Sequence, residues 1–252
     1  MSIVMRFPAA KFRVTSRPAA GVLAIVALAA AAGSAQGGML TAAYETQLET
    51  WLGQGDMEFT NIYTKRLGDT SIDFHNSVDG RGATFILAQV LSDFQQIPAP
   101  EVLGGYNPTS WSSTGEYVIT EFDPQRTAFL FNLSDGVVQR QLLGDGLFGP
   151  GQYQTFNDAA YGPTFGGGHD LHVDSFLNGG HIYPYSYESY DTNVMASPGA
   201  SYPVQFGAIE AYTFVRAPAP AAVPEPSSLA LWGSFFAAAA GRFGWRCRRR
   251  AS

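Results

Sequence analysis

Thr127-Ala128-Phe129-Leu130-Phe131-Asn132-Leu133, then Ser134-Asp135-Gly136, then Val137-Val138-Gln139-Arg140-Gln141-Leu142-Leu143 is the stretch that decides the fold class. Phe129, Phe131 and Leu133 alternate onto one face, as a half-buried strand requires. Ser134-Asp135-Gly136 is a turn-forming spacer, so the two runs predict an antiparallel hairpin. Upstream, Ala83 to Val90 is apolar on both faces, which predicts a strand covered on both sides. Phe59 to Tyr63 and Phe206 to Val215 have the same β-rich character. Only Leu40 to Leu52 reads as a helix: Leu40, Tyr44, Leu48, Trp51 and Leu52 share one face, and Gly53 stops it. Gly, Pro, Asn and Asp clusters separate the strands. The expected class is mainly β (α+β): a two-sheet antiparallel β-sandwich with a few flanking helices.

The ends differ from this body. Arg6, Lys11, Arg13 and Arg17 precede an apolar run from Gly21 to Ala32, and Gly33-Ser34-Ala35 supplies small residues for cleavage. Residues 1–35 read as a signal peptide, cut by signal peptidase after Ala35. Residues 217–222 are a Pro/Ala linker, and residues 223–252 form a tail. In it Val223-Pro224-Glu225-Pro226 precedes an apolar stretch over about 229–245, with Arg242, Arg246, Arg248, Arg249 and Arg250 at or beyond its end. As a helix that stretch would be about 25 Å long, slightly short of a ~30 Å hydrocarbon core. The arginines would stay cytoplasmic.

This tail resembles the PEP-CTERM sorting signal of Gram-negative bacteria that make extracellular polysaccharide. The resemblance implies recognition by an exosortase, a membrane transpeptidase. It also implies export across the cytoplasmic membrane, transient anchoring through the C-terminal helix, and a destination at the cell surface or outside it. A plain anchor that is never cut is the alternative.

Nine of the fifteen basic residues lie in these two ends, as does the only cysteine, Cys247. Between Gln36 and Ala222, six Lys/Arg face twenty Asp/Glu, a net charge of -14. Such a domain avoids phosphate backbones, which excludes nucleic acid as a partner. A cysteine-free body has neither a disulfide framework nor a thiol nucleophile. At this length it forms one domain, 36–216.

Within that domain four blocks stand in order. They are Phe74-His75 with Asp79-Gly80-Arg81-Gly82-Ala83-Thr84, Leu103-Gly104-Gly105-Tyr106 with Trp111, Tyr161 to Leu171, and Ile209-Glu210-Ala211-Tyr212-Thr213-Phe214. Their order over about 51–216 resembles the TLDc domain. That resemblance implies two antiparallel sheets flanked by helices, and it supplies no settled catalytic mechanism. It also matches His75 and Glu210 to family positions. For each, a structural hydrogen bond is the simpler role.

His169-Asp170-Leu171-His172-Val173-Asp174 is the most suggestive cluster. On a strand, Asp170, His172 and Asp174 would share an outer face, with Leu171 and Val173 inward. Two of them could share a metal, and zinc would need a third ligand such as His181 or His75. A solvated polar face is the competing reading. Gly166-Gly167-Gly168 lacks the lysine and helix of a phosphate loop and reads as a tight turn or close backbone approach. The tyrosines Tyr183, Tyr185, Tyr187 and Tyr190 either stack on sugar rings or pack onto the core. No catalytic residue, cofactor or metal motif is assigned from the sequence. His75, Asp170, His172 and Glu210 are the candidate polar site. The expected function is an exported, non-catalytic binding or protective module associated with exopolysaccharide; the alternative is a metal-assisted hydrolase centred on Asp170 and His172.

Overall fold

The computed structural model describes residues 38–93, 100–188 and 201–218. The segments expected to be a signal peptide (1–35) and a sorting tail (223–252), the linker from 219 onward, and Tyr190 lie outside the described residues. Two helices, α1 (Ala42–Leu52) and α2 (Ser71–Val78), accompany eleven strands. The strands are β1 (Met57–Thr64), β2 (Thr84–Asp93), β3 (Glu101–Asn107), β4 (Glu116–Ile119), β5 (Phe129–Asn132) and β6 (Val137–Arg140). They continue with β7 (Tyr153–Asn157), β8 (Thr164–Phe165), β9 (Leu171–Val173), β10 (Gly179–Ile182) and β11 (Tyr202–Arg216). All strand pairs are antiparallel, in the order β4-β7-β8-β9-β10-β11-β2-β3-β5-β6, with β1 also on β11. The mainly β, sandwich-like class expected from the sequence is the class observed.

β11 is the spine. Its first residues pair with β10, its later ones with β1, and β2 runs along its other side. Bulges between Gln205 and Ile209 interrupt the β2 ladder, and a bulge bends the strand that carries it. The short strands β7 to β10 thereby face the inner side of β2, β3 and β5: the Phe165 ring lies directly over Gly105. A single antiparallel bridge, Gln141 to Tyr187, joins the two halves again.

Strand alternation produces two cores. Ile86, Ala88, Val90, Leu103 and Leu130 point to the first, with Phe165, Leu171, Val173 and Ile182 from the opposing half and Phe74 and Val78 from α2. Phe85, Leu87, Tyr106, Phe129 and Phe131 point the other way. They are covered by Tyr44, Leu48, Trp51 and Leu52 of α1, and by Leu40, which precedes the helix cap because α1 starts at Ala42, two residues later than expected. The Trp51 ring stacks on Phe131 with centroids 5.9 Å apart. Thr41 caps α1 and Gly53 ends it in a left-handed conformation. The hairpin Phe129–Arg140 forms around the predicted turn, though β6 ends at Arg140, short of the expected Leu143.

Gly104 and Gly105 set the spacing of these layers. A Cβ on Gly105 would stand 2.5 Å from the Phe165 ring. On Gly104 it would collide with the Ile86 carbonyl oxygen and stand 2.6 Å from the Phe131 ring. Overpacking of this kind costs about 1–3 kcal/mol. Gly105→Ala should lower stability by about that amount, and Gly104→Ala by more, because backbone cannot turn aside as a ring can. Urea denaturation of the two variants checks this; equal midpoints to the parent chain would contradict the packing.

Candidate functional site

The four candidate polar residues are all buried, between 1% and 8% exposed, so none belongs to a solvated face. Each has its own partners. His75 ends α2 with Nδ1 2.7 Å from Asp79 Oδ1, and its Nε2 lies 3.1 Å from the Tyr161 carbonyl oxygen. Asp79 also accepts from the Ser113 hydroxyl. Glu210 Oε2 accepts from the Met39 backbone N–H and the Tyr212 hydroxyl, at 2.8 and 2.7 Å. It thus ties the start of the domain to its last strand, the structural hydrogen-bonding role expected for it.

Asp170 departs from the expected outer face. β9 covers only Leu171–Val173, and the residue before Asp170, His169, has φ 61°. Asp170 therefore lies outside the strand, where the alternation that would have placed it beside His172 does not hold. Asp170 Oδ2 instead accepts from the backbone N–H groups of Tyr185, Ser186 and Tyr187, at 2.6, 2.7 and 3.0 Å. Gly166, at φ 81°, has no room for a Cβ because Asp170 fills that space. The glycine run therefore serves close approach. Asp174 also leaves the expected row: its Oδ1 accepts from the N–H groups of Phe176 and Asn178 in the turn before β10. Leu171 and Val173 do point inward.

His172 stays on the outer side, with companions that the sequence reading did not group together. His172 and His181 are direct cross-strand partners on β9 and β10, and their ring centroids are 4.8 Å apart. His169, turned back by its left-handed backbone, lies 5.2 Å from His172 and 5.9 Å from His181. Tyr161 packs on His169 and His172, and Phe156 stacks on His169. The spacing His169, His172, His181 was visible in the sequence; their shared face was not, since i and i+3 on a regular strand point to opposite sides. His75 is tied to this group only through Tyr161, and Glu210 belongs to the other core through Tyr212. The four candidates therefore do not converge.

The tyrosines divide. Tyr187 is buried, and its hydroxyl donates to the Gln154 carbonyl oxygen. Tyr185 is exposed, and its ring stacks with half-buried Tyr183 at 23° between planes. Both ring bases sit against Gly168, where a Cβ would stand 2.5 Å from Tyr185 and 2.6 Å from Tyr183.

Burial sets the protonation of this face. It lowers the pKa values of His169 and His181, and pushes His172 down to about 3, helped by the neighbouring imidazoles. Asp170 is pushed up to about 7 by burial, against the pull of its three N–H donors. No model of a known protein family matches the chain, and no curated protein matches it.

The two shifts act on stability with opposite signs. As pH falls below 6.5 the unfolded chain protonates His172 and the folded chain does not, so stability is lost down to about pH 3. Asp170 keeps its proton when folded up to about pH 7, so its contribution is present below pH 3.8 and is lost as pH rises to 7. Each slope is at most about 1.4 kcal/mol per pH unit. Between pH 6.5 and 4.5, His172→Gln should therefore lose less stability on acidification than the parent, and Asp170→Asn should lose more. Urea midpoints at the two pH values check both signs. Asp170→Ala, which strands three buried N–H donors, should cost at least about 2 kcal/mol at either pH.

Proposed function

We propose that the chain is an exported, non-catalytic TLDc-type module that binds extracellular polysaccharide, with its tail acting as a PEP-CTERM signal for an exosortase. One observation supports the binding reading above others: Asp170 holds the 185–187 backbone by three N–H bonds and so presents the stacked Tyr183 and Tyr185 rings at the surface. Tyrosine offers a broad amphipathic contact, and a pair ordered before binding loses little entropy on contact with a sugar chain. The hydrolase reading rests on fewer observations, because Asp170 is committed to backbone amides and does not share a face with His172. The acidic body, at -14 between Gln36 and Ala222, favours neutral or cation-bridged glycans over strongly anionic ones.

Two experiments test the two halves of this reading. In native gels cast with the producing cell's exopolysaccharide, the mature chain should be retarded, and Tyr183→Ala/Tyr185→Ala should reduce the retardation at least about tenfold, as expected for loss of two stacking contacts. Equal mobility with and without polysaccharide would sink the binding role. For sorting, a C-terminal epitope should disappear only in cells that carry the exosortase; its retention in both strains would leave a plain anchor.

A further inference from the structure

The three imidazoles of His169, His172 and His181 have no role in the glycan reading. They share one patch, half-buried or buried, and His169 is held at a positive φ, which is uncommon for a residue other than glycine. We infer that this trio is a binding site for a zinc-class divalent cation, with one nitrogen from each ring as ligand and a fourth position left to water or a partner group.

Three observations carry it. The first is spacing. With Zn–N near 2.1 Å and tetrahedral angles, imidazole centroids around one ion stand roughly 5 Å apart. The observed separations are 5.2, 4.8 and 5.9 Å. The second is the tautomer that the hydrogen-bond network assigns to His172. The Thr164 hydroxyl donates to the Gly162 carbonyl oxygen, so Thr164 Oγ1 accepts from His172 Nδ1–H, 3.0 Å away. That leaves a bare lone pair on His172 Nε2. Outer partners that fix the tautomer in this manner accompany metal-ligating histidines. The third is freedom: among the described residues, ring contacts alone hold the His181 side chain.

The rings now pack against one another, at 24° between the planes of His169 and His181. With the rings placed as they are, no group of three His, Cys, Asp or Glu among the described residues could hold a metal ion. Ligation therefore requires ring rotation about χ2, which half-exposed His169 and His181 can make and which leaves the His172–Thr164 bond in place. Burial also keeps the rings neutral, the form in which imidazole ligates. The sequence suggested His172 with a carboxylate partner; the geometry replaces that carboxylate with His169. The site rests on the trio alone and stands or falls independently of glycan binding.

The test uses the mature exported chain, stripped with chelator and titrated with ZnCl2 at pH 7.5. One equivalent should bind, and CoCl2 should give the strong visible absorption of a low-coordinate site. In the NMR spectrum the imidazole signals of His169, His172 and His181 should move while that of His75 stays. His181→Gln, at a half-exposed position that leaves the core untouched, should weaken zinc at least about 100-fold, with circular dichroism confirming an intact fold; His169→Gln should do the same. Absence of stoichiometric binding at tens of micromolar zinc would overturn the inference. So would binding that survives His181→Gln, which would place the ion on carboxylates, and so would a shift confined to His75.

Discussion

The contact of Phe165 with Gly105 is the constraint on which the rest depends. A glycine in β3 lets an aromatic ring from β8 lie against the backbone of the opposing half. Phe165 also meets Trp111 and Tyr187, so the same ring joins the inner core to the loop after β10. Because strand neighbours alternate, Phe165 pointing inward leaves Thr164 pointing outward, and Thr164 holds the His172 ring. A missing side chain in one layer thus fixes the tautomer of an imidazole on the far side of another.

Buried charge shows the same economy. Asp170 and Glu210 are not arranged as reacting groups. Each gathers hydrogen-bond donors that would otherwise lie unsatisfied: three loop amides for one, an N-terminal amide and a tyrosine hydroxyl for the other. Removing such an acceptor is costly because the donors stay buried. These carboxylates therefore organise surfaces at a distance, a loop of tyrosines in one case and the start of the domain in the other.

Much of the fold was legible because long elements carry clear periods. β2 alternates into two cores as its doubly apolar pattern predicts, and α1 presents four of the five residues expected, with Leu40 just before its cap. β11 was readable as a strand, although it begins four residues earlier than its apolar run suggests. Strands β8 and β9, of two and three residues, are too short for any period to register. The site lies among them, which is why its reading failed where it did. The alternation expected over Asp170, His172 and Asp174 runs past both ends of β9, which holds only Leu171–Val173. His169, at a left-handed φ, brings a third imidazole beside His172.

The pairing of β1 with β11 has a kinetic meaning. Met57 is matched with Arg216 and Thr64 with Glu210, across nearly the whole domain, and Glu210 also anchors Met39. A chain that emerges N-terminus first, from a ribosome or through a pore, presents β1 long before its partner exists. Non-local pairing of this kind must bear the loop-closure entropy before any contact offsets it. The first strand and the helix before it wait for the last strand, so the domain closes only when its final residues have arrived.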